Sequence, residues 1–250
     1  MAELQADAER IKLLEKTIEE INKEKQQIIS IVSHDIKAPL NRIFALVQLL
    51  HMDESNLTAD QHQYLDKIHQ VVADGLGMIR NLVDYRDLEY RTIETNPEEI
   101  DITGLVKTAV RTYDSLAEKK NIEITLDADE NVLLTTDGQC LGRVLDALLS
   151  NAIKFSKEGK HVWVCLKNGI DRIEITVKDE ARGFTPEDKQ RLFRQFQKLS
   201  AKPTSGESST GLGLFIAKKM LDTIHGEIQC DTQEGVGSIF TITLPVRANQ

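Results

Sequence analysis

The sequence predicts an α+β protein in which an N-terminal coiled coil and a helical hairpin form a dimeric four-helix bundle, followed by an α/β sandwich. Three observations point to it. Between Ile11 and Val32 apolar residues recur in alternating steps of three and four. A helical apolar pattern stops at the polar stretch Met52 to Leu57 and then resumes. Beyond Asn96-Pro97, short alternating strands are interspersed with helices.

The first element follows from the series Ile11, Leu14, Ile18, Ile21, Lys25, Ile28, Val32, a 3.5-residue period broken only by Lys25. A single amphipathic helix on a globular core has the same pattern. The flanking surface of Glu, Lys, Gln and Asn favours a dimer instead. Periodicity continues through Ile43, Val47 and Leu50, and a turn is required across residues 52–57. Thr58 and Gln61 then form a capping box that opens a second helix carrying Leu65, Ile68, Val72, Leu76, Ile79 and Val83. One hairpin leaves an apolar stripe uncovered, and pairing two of them buries it. Gly75 and Gly77 fall within this helix and imply close packing or bending there.

The chain divides accordingly into residues 1–30, a coiled-coil helix, residues 31–94, a dimerisation hairpin, and residues 95–250, a mixed domain. The boundary lies between Arg91 and Glu98. The mixed domain reads as a helix over 103–119, a strand over 122–126 and a helix over 138–155. Strands over 161–166 and 172–177 follow, joined at Asn168-Gly169. A short helix near 187–196 and a polar loop lead to a helix from Gly211, and strands over 227–230 and 238–244 complete an antiparallel sheet with helices on one face.

With 250 residues, roughly two compact units are expected. Hydrophobic residues make up 40% and charged residues 28%, as in an ordinary soluble protein. The net charge of −9 and the lack of a Lys/Arg-rich run argue against non-specific nucleic-acid binding. The three cysteines, Cys140, Cys165 and Cys230, have no CxxC spacing, so neither a disulfide framework nor a zinc site is expected and a reducing cytoplasm fits. Residues 1–30 are too charged for a signal peptide, and any membrane part is expected upstream of this sequence.

His34 and Asp35 interrupt the first helix's seam, and Pro39 follows five residues after the histidine. Proline lacks an N–H and crowds the carbonyl four residues back, so the helix is expected to bend beside His34. A neutral imidazole is a nucleophile toward phosphorus, and a neighbouring carboxylate can hold the proton on one ring nitrogen while the other presents its lone pair. His51, His62, His69, His161 and His225 have no comparable context and form no metal-ligand pattern.

The second half contains no GxxxxGK[ST], and Gly211-Leu212-Gly213 lacks the third glycine of GxGxxG, so neither a P-loop nor a Rossmann site is supported. Asn151 offers a carbonyl oxygen suited to Mg²⁺, and Lys154, three residues on, projects from nearly the same helix face toward phosphate. Asp179 closes an alternating strand, with Gly183-Phe184 four residues later. Ser205 to Leu214 leads into a helix, where backbone N–H groups at Gly211 and Gly213 are suited to face phosphate.

Ser33-His34-Asp35-Ile36-Lys37-Ala38-Pro39-Leu40 resembles the H box of sensor histidine kinases. Asn151 to Phe155 resembles their N box, Asp179 to Gly183 in part their G1 box, Leu192 to Phe196 their F box, and Ser205 to Leu214 their G2 box. The five occur in the family's order, and the resemblance runs from about Glu24 to Pro245. It implies a Bergerat-type ATP-binding domain of the gyrase B and Hsp90 group. It also implies that His34 accepts the γ-phosphoryl group of ATP with Asp35 orienting the ring, and that a response-regulator receiver domain receives it next. By the same resemblance Asp179 reads the adenine amino group. Asn151 holds Mg²⁺, while Lys154, Gly183, Gly211, Leu212 and Gly213 contact the nucleotide under a mobile lid over 197–210.

The sequence departs from the family pattern in four places. Ala181 stands where the G1 box has its first glycine, which predicts strain of about 1 kcal/mol should that position need φ > 0, and Arg182 adds bulk. Ala147 replaces a common second asparagine of the N box, and Ser209 a glycine of the G2 box. Ala38 lies where family members with phosphatase activity have Thr or Asn, so dephosphorylation of a regulator is expected to be weak. Ala181, Ala147 and Ser209 motivate the alternative of a catalytically impaired nucleotide-binding dimeric scaffold; a gyrase-type or chaperone-type ATPase would not need His34.

Overall fold

The 3.5-residue apolar series and the capping box lie in a pair of long helices. The structure, a computed structural model, describes residues 2–52, 57–90, 95–207 and 209–246. Residues 53–56 of the expected turn, 91–94 of the expected linker and Ser208 of the polar loop lie outside the described residues. The chain divides into two units, Met1–Arg91 and Thr92–Gln250.

In the first unit α1 spans Ala2–Met52 and α2 spans Ala59–Tyr90. The capping box forms: the Thr58 N–H donates to Gln61 Oε1 at 2.8 Å and the Gln61 N–H to Thr58 Oγ1 at 3.3 Å. Between the helices Val47, Leu65, Val72, Ile79 and Tyr85 are buried. Gly75 allows close packing, since a Cβ there would lie 3.2 Å from Leu40 Cδ1, whereas Gly77 faces open space. The seam residues Ile11, Leu14, Ile18, Ile21 and Ile28 remain more than half exposed in the single chain. α1 stays helical through residue 30 and through Pro39, whose missing N–H leaves the Asp35 carbonyl without its usual donor.

The second unit is a layer of helices on a mixed sheet. Its strands are β1 (Glu98–Asp101), β2 (Glu123–Ala128), β3 (Leu133–Thr136), β4 (His161–Asn168), β5 (Arg172–Asp179), β6 (Glu227–Gln233) and β7 (Gly237–Pro245). Its helices are α3 (Ile102–Glu118), α4 (Gly138–Phe155), α5 (Pro186–Lys189) and α6 (Gly213–Thr223). Five strands form one sheet in the order β2-β4-β5-β7-β6, and β1 pairs with β3 in a separate ribbon. Alternation along the strands places Val162, Val164, Leu166, Ile173, Ile175, Val177, Phe240, Ile242 and Leu244 on the buried face. Against it pack Val106 and Val110 of α3, Leu141, Leu145 and Leu148 of α4, and Ile216 and Leu221 of α6.

The sequence expectation of an antiparallel sheet needs one correction, because β2 pairs with β4 in parallel. α4 lies between them in the chain, and a helix that returns the chain across the sheet brings the next strand back in the same direction. β1 and β3 were not anticipated; each has only four residues. The short helix is also smaller than the expected 187–196. After Lys189 the chain tightens into three-residue turns, with the Arg191 N–H donating to Asp188 O and the Arg194 N–H to Arg191 O. The last helix begins at Gly213 rather than Gly211, because Gly211 has φ +70° and belongs to the preceding loop.

Candidate phospho-acceptor and nucleotide-binding sites

On α1 of the first unit the His34 side chain is 85% exposed, and its Nδ1 lies 3.1 Å from Asp35 Oδ1. An ionised carboxylate only accepts, so Nδ1 carries the proton in this pair and Nε2 keeps its lone pair. Ser33, one residue earlier, points inward with its Oγ buried and unpartnered among the described residues. Helical geometry thus turns one residue into the hairpin and the next into solvent.

In the second unit the sequence-predicted residues come from α4, the end of β5 and the start of α6. Asp137 caps α4, with Oδ1 accepting from the Gln139 and Cys140 N–H groups at 2.9 and 3.0 Å and Oδ2 from the Asn96 N–H at 3.0 Å. Burial would raise its pKa, but the amides of Cys140, Asn96 and Gln139 outweigh that and hold it below the usual carboxylate value. Farther along α4, Asn151 and Lys154 are half-buried. The Asn151 amide makes no hydrogen bond with any described residue, which fits it to offer its oxygen to a hard cation.

Asp179 is the last residue of β5 and only 6% exposed. Burial pushes its pKa up to about 6, against the opposing effect of N–H donors from Ala181 and Ser238. Both amides bond the same oxygen, Oδ1, at 2.9 and 3.2 Å. Oδ2 takes no hydrogen bond from a described residue and is left as an acceptor for an external donor.

Gly183 has φ +69°, and a Cβ there would come within 2.2 Å of Gln233 O, so only glycine fits. Ala181 is not among the residues with positive φ, so the strain anticipated for it is absent, and the Arg182 side chain lies out at Glu234, 2.9 Å away. Thr232 closes the same corner: its Oγ1 accepts from the Phe184 N–H and donates to Gly237 O, each at 3.0 Å.

Gly211 is fixed by close approach, since a Cβ there would lie 2.5 Å from Gln197 O. The Leu212 side chain is buried, and its N–H reaches Thr210 Oγ1 at 3.3 Å. That amide is therefore already engaged within the loop. Gly213 opens α6, whose first-turn N–H groups lack intrahelical acceptors and favour an anion.

Sequence reasoning missed Thr232, Gly237 and Ser238, which hold Asp179 and Gly183 in place from across the sheet. The short Gly235-Val236-Gly237 run between two strands was the available signal. It also missed Asp188, a buried carboxylate that accepts from the Ser200 N–H and Oγ. Among the described residues no cluster of three or more His, Cys, Asp or Glu side chains is arranged to hold a metal ion. No helix among them is long and apolar enough to cross a membrane.

The first unit carries an exposed imidazole paired with a carboxylate on a helical hairpin, and the second a buried aspartate with an open acceptor oxygen, the features of a phospho-acceptor and of a nucleotide-binding domain. Residues 24–91 match the His Kinase A (phospho-acceptor) domain, and residues 136–248 match the histidine kinase-, DNA gyrase B- and HSP90-like ATPase family. The chain belongs to the sensor histidine kinases and comprises their phospho-acceptor and ATPase domains.

The chain is 30% identical over 235 residues to the sensor protein EvgS of Escherichia coli K12, an alignment covering 90% of this chain and 19% of that protein. It is 28% identical to the heme sensor protein HssS of Staphylococcus saprophyticus, over 91% of this chain and 48% of that one. The chain thus spans about a fifth of the length of the first of these relatives and about half of the second. Among solved structures, full-length ShkA in complex with AMPPNP superposes with a TM-score of 0.65 at 23% identity, covering 89% of this chain and 46% of that one, a likeness of fold.

Proposed function

We propose that this chain is the kinase core of a two-component sensor, transferring the γ-phosphoryl group of ATP to His34 and then to a response-regulator aspartate. The observation that carries the reading is the His34–Asp35 pair: exposed, with Nδ1 engaged at 3.1 Å and Nε2 left as the nucleophile. Nε2 forms the new P–N bond, the bridging P–O bond of ATP breaks, and ADP departs with that electron pair. The Nδ1 proton stays on the ring, hydrogen-bonded to the Asp35 carboxylate, which stabilises the positive charge developing there.

On the nucleotide side, Oδ2 of Asp179 is suited to accept from the adenine amino group, and Gly183 shapes the corner beside it. Lys154 and the Gly211 to Gly213 backbone, with α6's first turn, suit the phosphates; the Leu212 N–H would first have to leave Thr210. Asn151 would hold Mg²⁺, which when bound neutralises charge on the phosphates.

The exposed Ile11 to Ile28 seam supports a homodimer, with residues 1–30 as a coiled-coil signalling helix, 31–94 as the dimerisation and phosphotransfer domain and 95–250 as the catalytic domain. A cytoplasmic location follows from the ATP requirement, with any membrane attachment supplied by a region outside this sequence. Incubation with γ-labelled ATP and Mg²⁺ tests the assignment. Acid-labile label on the unchanged chain, absent from His34→Gln while nucleotide binding persists, is the expected result; equal labelling of both would refute it.

A further inference from the structure

The loop between α5 and α6 is fastened at two points. At its start Ser200 bonds the buried Asp188 carboxylate. Farther on, residues 204–207 are fastened to the C-terminal end of α4, the helix that carries Asn151 and Lys154. The Thr204 N–H donates to Lys154 O at 3.1 Å, and Thr204 Oγ1 donates to Ser156 O at 2.8 Å.

One ammonium lies at the centre of this second attachment. Lys120, from the turn after α3, donates through Nζ to Ile153 O at 2.8 Å and to Thr204 Oγ1 at 2.7 Å. It reaches Lys154 O at 3.3 Å and Glu207 Oε1 at 3.2 Å. Glu207 in turn accepts the Ser205 N–H on Oε2 at 2.8 Å. The two charged side chains are only 11% and 9% exposed, unlike the other ion pairs of this unit, most of which are well exposed.

Each feature gives this contact a role beyond surface pairing. A cation at the last carbonyls of a helix satisfies groups that the helix cannot and complements its dipole. A buried pair is strongly coupled, because removing either partner leaves the other charge desolvated. Lys120 therefore joins three segments distant in sequence, and its charge is balanced only while the loop is docked.

We infer that the Lys120–Glu207 pair is a clasp that holds the loop docked on α4, making Lys120 a positioning residue for nucleotide binding. The inference rests on the proposed ATP site. A clasped loop keeps residues 204–207 at the α4 end that carries Lys154, so nucleotide binds without first paying to order them. Releasing the clasp reduces the binding-competent fraction, and apparent affinity falls in proportion. Chemistry on bound ATP uses neither residue, so the maximal rate is spared.

The experiment compares the unchanged chain with Glu207→Gln, Lys120→Arg, Lys120→Met and the double variant Lys120→Met/Glu207→Gln. Readouts are Kd for a fluorescent ATP analogue, KM and kcat for His34 labelling, and tryptic cleavage at Lys198 with and without AMPPNP. Glu207→Gln keeps the side chain's shape and one of its two acceptor oxygens while removing the charge, and the double variant removes the unbalanced charge that Lys120→Met alone creates.

The expected result is a rise of about tenfold in Kd and KM for Glu207→Gln and Lys120→Met with kcat within about twofold, partial rescue by Lys120→Arg, and faster cleavage that AMPPNP suppresses. In the double variant the two effects are less than additive. Binding unchanged or tightened in folded variants, or a loss confined to kcat, would overturn the clasp alone. Failure of the unchanged chain to bind the analogue would overturn the ATP site and the clasp with it.

Discussion

Replacing Asp179 by Asn separates the stability of the nucleotide domain from its ligand chemistry. In the folded chain burial pushes the Asp179 pKa up to about 6 from 3.8, so the ionised form is disfavoured by about 2 pH units relative to the unfolded chain. At pH 8 that corresponds to about 3 kcal/mol of destabilisation. Asparagine imitates the protonated acid and retains one oxygen for the Ala181 and Ser238 amides, so Asp179→Asn is expected to be more stable by about that amount at pH 8. The sign reverses the usual carboxylate case. As pH falls through about 6 toward 4, the wild-type fold takes up a proton that the unfolded chain does not, and the advantage shrinks to about 1.6 kcal/mol at pH 5 and about 0.5 at pH 4.

Nucleotide affinity is expected to move the other way. With the asparagine oxygen held by two amides, its NH₂ replaces Oδ2, and an adenine amino donor meets another donor; a loss of at least about tenfold follows. Wild-type affinity should likewise weaken as pH falls through about 6. Urea unfolding followed by the single tryptophan, Trp163 on β4, reports on this unit alone, and titration with a fluorescent ATP analogue gives the binding arm. A variant no more stable than wild type at pH 8, or a gain independent of pH, would refute the reasoning.

Gly183→Ala places a Cβ 2.2 Å from Gln233 O at φ +69°, and a loss of at least about 2 kcal/mol is expected by urea unfolding, with nucleotide binding lost in parallel. Ala181→Gly, at a position without positive φ, should change stability by less than about 1 kcal/mol. Asp137→Ala removes the α4 cap and should cost about 1–2 kcal/mol at pH 7. Because the folded pKa of Asp137 is depressed, its charge-dependent contribution is present above the ordinary value of 3.8 and disappears as pH falls through the lower folded value, so the unfolding difference should narrow at acid pH.

Local patterns were legible because their causes are local. The 3.5-residue period, the Thr58–Gln61 box and the alternation of β4 and β5 each depend on residues within one or two turns or one strand, and the boundaries of α4 follow from its own apolar face. The histidine with its carboxylate neighbour was readable for the same reason, as were Asn151 and Lys154 on one helix face. Whether Ala181 would need φ > 0 was not legible, because φ depends on how the corner closes against β6 and β7.

The amino-acid order alone therefore marks most of the helices and strands, though not the four-residue β1 and β3, and the side chains expected to carry phosphotransfer chemistry. It does not show that Ser238 donates to Asp179 from 59 residues away, nor that Lys120 meets Glu207 from 87 away. Those contacts arise from sheet register and from helix packing, which assemble distant segments only when the whole domain has closed. The raised pKa of Asp179 belongs with them, since desolvation is a property of the surrounding fold and not of the residue.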